Sequence, residues 1–253
     1  MALFNSQTGN PALNQKIFDS HPLVAGKSAM TFSGTINKFI FMFVMLAGAS
    51  FYSWNVYSRG GNIAPLLWTG IIGGLVVAVI ISLKMEWAQY LAPAYAILEG
   101  FFLGTISAAL NNEFKVKAPF LVMQAVLLTF GVVLAMLALY KSGVIKVTKR
   151  YVMIVIGATA GIFVFYLLTM LLGLFHIQVP FVFQGGTLGI IFSLVVVTIA
   201  AMNLALDFAM IDQGTQSGAP KYFEWYCAFG LMVTIIWLYI EILRLLAKVY
   251  SRK

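Results

Sequence analysis

From about residue 36 onward the chain is a succession of long apolar runs separated by short polar connections. Seven runs, at about 36–57, 63–83, 87–110, 118–140, 151–175, 184–211 and 222–247, each come near the roughly 20 residues that cross about 30 Å of hydrocarbon as a helix. Continuous apolarity of this length excludes the alternating pattern of a membrane barrel strand. A lipid-exposed span must also satisfy its own backbone hydrogen bonds, which a helix does. The pattern predicts an all-α integral membrane protein with seven transmembrane helices over residues 36–250. Residues 1–35 are mixed polar and read as a separate, loosely ordered tail. They lack the basic segment, short apolar core and small-residue cleavage site of a secretory signal.

Composition agrees: of 253 residues, 61% are hydrophobic and only 9% charged, with a mean hydropathy of +0.94, a mixture no soluble globular domain is built from. A lone cysteine, Cys227, excludes an internal disulfide and is expected to be a packed thiol. The formal net charge of +8 speaks to topology and to anionic lipid. The basic residues are scattered over loop ends without interleaved stacking aromatics, so nucleic acid is not an expected partner.

Four GxxxG spacings fall within the spans: Gly70/Gly74, Gly100/Gly104, Gly157/Gly161 and Gly185/Gly189. Small residues one turn apart let helix backbones approach closely, and packing within one chain, hence a monomer, is the expectation. Orientation follows from basic residues in the loops between spans. Lys84, Lys141, Lys146, Lys149, Arg150 and Lys221 lie on the N-terminal side and Arg59, Lys115 and Lys117 on the other, which favours a cytoplasmic N-terminus. The basic C-terminal tail argues the other way.

Several chemistries are excluded by residue type. A retinal Schiff base needs a lysine in the middle of the last helix, but Lys221 precedes that run and Lys248 ends it. The two histidines, His21 and His176, lie in the tail and in a loop, so a His-rich zinc site cannot be assembled. Neither a phosphate-binding glycine loop nor a GxSxG elbow is present. Enzymatic activity and a bound cofactor are not expected.

What remains is acid within apolar runs. A carboxylate at the centre of a spanning helix costs about 2.5–3.5 kcal/mol on insertion scales, so such residues face a partner or an aqueous path. Glu99 lies about twelve residues into the third run, followed by Gly100 and Gly104. It is either a protonated acid bonded to a neighbouring helix or an ion or proton relay. Asp207, near the end of the sixth run, has Asn203 one turn before it on the same face. Asp212 is nearer headgroup water. Glu241, in the seventh run, precedes Arg244 by three residues, and a local ion pair competes with Arg244 snorkelling to the interface.

Seven spans, an aspartate near the end of the sixth, and Leu238, Tyr239 and Glu241 in the seventh resemble the Bax inhibitor-1/YccA family of membrane proteins. The bacterial branch is the nearer likeness, through Asn10 to Leu13 (NPAL), Met30 to Lys38 (MTFSGTINK) and Gly218 to Leu231 (GAPKYFEWYCAFGL), in order along essentially the whole chain. The resemblance implies a bundle with the seventh helix at its centre, in a bacterial inner membrane. It also implies a pair of acids on helices six and seven whose protonation gates a slow calcium leak. Carried over, the pair is Asp207 and Glu241. Two carboxylates in one low-dielectric site titrate as a coupled pair, and calcium, a hard cation, prefers such oxygen ligands. A cation that locks the pair has Lys84 or Arg244 as its candidates here.

Two departures matter. The second acid is glutamate, and the two acids stand 34 residues apart, further than the family's usual pair. If helix six turns near Gln216 and helix seven starts at Pro220, Asp207 lies level with about Trp225. Glu241 is then deeper by about 16 residues, or roughly 24 Å. That makes Glu224 a rival partner for Asp207. A different class of function, a regulatory membrane protein that binds a membrane protease or another membrane partner, is motivated by the polar tail. A proton-coupled transporter is motivated by Glu99, although no inverted repeat supports it.

Overall fold

The computed structural model describes residues 29–175 and 186–252. The NPAL motif, His21, His176, Gly185 and most of the tail lie outside the described residues. Among those described, the chain is all helical: α1 Phe32–Ser58, α2 Ala64–Leu83, α3 Ala88–Glu113, α4 Leu121–Lys141, α5 Lys149–Leu174, α6 Thr187–Gln216 and α7 Phe223–Ser251. Each is long and apolar enough to cross a membrane, α3 together with the short 3-10 turn Met85–Trp87 before it. Large apolar side chains such as Phe51, Leu75, Leu127, Phe163 and Leu188 are exposed, which in a bilayer is contact with lipid. The protein is a multi-pass membrane protein.

The helix ends follow local chemistry. Thr31 caps α1, its hydroxyl accepting from the Gly34 amide at 2.9 Å, so the helix begins at Phe32 and takes in the last four residues assigned to the tail. Pro65 opens α2, where its missing N–H leaves nothing unsatisfied. Pro93 lies within α3 and removes a backbone bond there, which a transmembrane helix tolerates. α6 runs five residues beyond the apolar window that ended at 211. It closes where Gly218 adopts a positive φ of 68° and the amides of Gly218 and Ala219 cap the carbonyls of Thr215 and Gly214. Pro220 does not open α7, as the sequence suggested. It stays in the connection, in an isolated antiparallel bridge with Ala29, and α7 starts at Phe223.

The chain divides into two compact units. In the N-terminal unit, residues 29–113 and 209–233, α3 packs extensively on α1 and on α2. Its contact stripe is small: Ala92, Ala96, Gly100, Gly104 and Ala108 are buried. A Cβ on Gly100 would lie 2.6 Å from the Ala49 Cβ, one on Gly104 would run into the Ser50 carbonyl, and one on Gly70 would lie 2.8 Å from the Leu98 carbonyl. Ser50 adds a hydrogen bond to the Gly100 carbonyl at 3.0 Å. The GxxxG pairs of α2 and α3 thus pack within the chain, as expected. The pair Gly157/Gly161 does not: nothing lies within 4 Å of where their Cβ atoms would be.

The C-terminal unit holds residues 114–208 and 234–252 of those described. Val152, Val155 and Leu206 form a core between α5 and α6, and the Tyr151 hydroxyl donates to the Met202 carbonyl at 2.9 Å. Tyr250 on α7 reaches Gln124 on α4 at 2.9 Å. α7 is the most deeply buried of the seven helices.

Candidate functional site

Helical spacing places Glu241 and Arg244 one turn apart on α7. The Glu241 carboxylate is 1% exposed and sits within a three-residue network. Arg244 Nη1 donates to its two oxygens at 3.2 and 3.4 Å, while the Tyr166 hydroxyl on α5 donates to them at 3.0 and 3.1 Å. Arg244 Nη1 also donates to the Tyr166 hydroxyl at 2.7 Å, and the guanidinium carbon lies 5.0 Å from the Tyr166 ring centroid. Phe192 of α6 meets that ring edge-on at 6.2 Å. The local ion pair is therefore real, but it is shared with a tyrosine on another helix. Sequence reasoning missed Tyr166, whose one signal is a hydroxyl inside the apolar run of α5.

Asp207, on α6, is 2% exposed between the buried side chains of Leu206 and Phe208. One turn earlier, Asn203 uses its amide to bind Thr159 Oγ1 on α5 and its own helix at Ile199, each at 2.9 Å. The polar face suggested by Asn203 and Asp207 thus turns inward. Measured along each helix from the connection between α6 and α7, Asp207 lies nine residues in, about 14 Å, and Glu241 eighteen residues in, about 27 Å. The offset in depth is about 14 Å rather than the expected 24 Å, because residues 217–222 are taken up by the connection and α7 begins only at Phe223.

The remaining candidates belong to the N-terminal unit. Glu224, in the first turn of α7, is fully buried. It is paired with Lys38 of α1 and, at 2.7 Å, with Lys221. It also accepts from the Thr31 amide at 2.8 Å and the Thr31 hydroxyl at 3.1 Å. Gly34 makes room for it, since a Cβ there would collide with the carboxylate. The result is a clamp between the start of α1 and the start of α7, reinforced by the Met30 amide bonded to the Ala219 carbonyl at 2.8 Å. Lys38 was not singled out from the sequence.

Glu99, half-buried on α3, accepts a hydrogen bond from Tyr95 one turn before it. Gly74 of α2 stands opposite, where a Cβ would come within 2.6 Å of the carboxylate. The Tyr95 ring packs on Phe229 at 4.9 Å. Lys84, a candidate cation for the acids, is exposed and lies over the Trp87 ring at 4.5 Å. Among the described residues no three histidine, cysteine, aspartate or glutamate side chains converge as a metal site would require.

A family model described as Bax inhibitor 1 like matches residues 10–251, nearly the whole chain. Neither curated proteins nor solved structures give a match. With seven spanning helices and acids buried on the last two, the chain belongs to the Bax inhibitor 1 like family.

Proposed function

We propose that this protein is a pH-sensitive cation leak pathway of the Bax inhibitor-1 type, with calcium as the permeant ion and Asp207 and Glu241 as sensor and gate. The observation that carries the reading is the burial of both acids within spanning helices, at 2% and 1% exposure. Acids held there against the desolvation penalty are suited to a task that needs a change of charge. Glu241 supplies the mechanical link. Ionised, it binds Arg244 on its own helix and Tyr166 on α5 together. Protonation removes the charge that holds the guanidinium and weakens the junction of α5 with α7. Calcium then passes along carboxylate and carbonyl oxygens, the ligands a hard cation prefers. In this reading Glu224, saturated by two lysines, clamps the N-terminal unit. The protein resides in a bacterial inner membrane with its N-terminus in the cytoplasm, as the basic loop residues favour.

The test is calcium entry into liposomes that enclose a calcium dye calibrated at each pH. Wild-type protein leaks faster at pH 6 than at pH 8, and the double variant Asp207→Asn, Glu241→Gln loses that dependence. Equal flux from both proteins at both pH values would overturn the proposal.

A further inference from the structure

The last two turns of α7 hold more positive charge than their described neighbours neutralise. Lys248 is only 4% exposed, and its ammonium donates to the Gly189 carbonyl at 3.2 Å and to Ser193 Oγ at 2.8 Å, both near the start of α6. Those acceptors are neutral, and an ammonium carries three donors. No carboxylate pairs with Lys248 among the described residues. Arg244, one turn earlier, makes its hydrogen bonds through Nη1, and its side chain is 35% exposed. Among the described residues nothing bonds to Nε or Nη2, which are open to another ligand.

The one counter-charge the same unit offers near Lys248, Glu241, is shared with Arg244. The unit's acids are Asp207 and Glu241. Glu241 is engaged by Arg244 and Tyr166, and Asp207 lies fourteen residues beyond Ser193 on α6, about 21 Å along the axis. The connection over residues 176–185 contains no acidic residue in its sequence. A buried ammonium facing neutral oxygens is expensive unless an anion completes it.

Depth says which anion. Lys248 is three residues from the end of α7 and Arg244 seven, about 4.5 and 10 Å along the axis. Both side chains are long enough to reach the headgroup level from there. Exposed Phe175 at the end of α5, with Arg252 just beyond α7, matches the aromatic and basic belt of a membrane interface. We propose that Arg244 and Lys248 form a binding site for the phosphate of an anionic membrane lipid. The site shares Arg244 with the Glu241 network, but lipid retention is read without calcium flux, so its failure and that of the leak reading are distinguishable.

The experiment uses the full chain in nanodiscs of phosphatidylcholine, with or without phosphatidylglycerol, and reads retained lipid by native mass spectrometry alongside thermal unfolding. Wild-type protein retains phosphatidylglycerol over phosphatidylcholine and unfolds at a higher temperature when it is present. Lys248→Gln and Arg244→Gln lose that preference several-fold, whereas Lys248→Arg and Arg252→Gln keep it. Inorganic phosphate added to phosphatidylcholine discs does not reproduce the stabilisation. Equal retention of the two lipids by the wild type, which needs no variant, would overturn the proposal. So would an unchanged preference in a folded Lys248→Gln, or full stabilisation by inorganic phosphate.

Discussion

At the scale of single residues, the Tyr166 hydroxyl does what the local pair of Glu241 and Arg244 cannot do alone: it joins α5 to α7. Hydrogen bonds to a charged group contribute about 1.5–3 kcal/mol, so Tyr166→Phe, which keeps the ring and removes the donor, should lower the unfolding temperature in detergent. It should also raise calcium flux at pH 8 by weakening the junction that holds the gate. A variant as stable and as tight as wild type would remove Tyr166 from the account. Lys38 offers a second test. Lys38→Met leaves the fully buried Glu224 with Lys221, whose side chain is 50% exposed, and with Thr31. Breaking a buried pair this way costs about 3–5 kcal/mol, and the partners that remain place this change near the lower end. Thermal unfolding of Lys38→Met against Lys38→Arg would read it, the arginine variant recovering most of the loss.

The same residues show how far the site was legible in the sequence. Asp207 and Glu241 stand out because an acid in an apolar run carries an energetic penalty that demands a reason. Arg244 follows from helical spacing. Tyr166 is 75 residues from Glu241 and Lys38 is 186 from Glu224, so both partnerships depend on how helices are juxtaposed, which no local pattern carries. Lys84 shows the converse. Its charge and position suggested a partner for the acids, yet it lies over an aromatic ring at the surface.

At the scale of helices, apolar length was a reliable guide because a bilayer leaves the backbone little alternative to a helix. The ends were less legible. Hydropathy stopped the sixth span at 211, whereas the helix continues through polar residues to Gln216 and is ended by the backbone freedom of Gly218. The glycine pairs separate in the same way. All four have the right spacing, but contact decides their role, and Gly100 and Gly104 lie against α1 while Gly157 and Gly161 face open space. Gly100→Val should therefore destabilise by about 1–3 kcal/mol through overpacking, whereas Gly157→Ala should leave the unfolding temperature unchanged or slightly higher. Matching losses for the two would mean that the α1 and α3 contact is not the tight one.

At the scale of the molecule, family membership and seven spanning helices define a membrane protein of the Bax inhibitor 1 like family, and the acids buried on α6 and α7 are what the proposed leak pathway rests on. The central claim is that the charge on Glu241 holds the pathway shut. The most direct measurement is the ratio of calcium flux at pH 6 to that at pH 8, in one liposome preparation each of wild type and Glu241→Gln. Glutamine imitates the protonated acid at every pH. The account predicts a ratio above unity for the wild type and a ratio of unity for the variant, with the variant's flux at pH 8 raised above that of the wild type. A variant that keeps the wild-type ratio would contradict it.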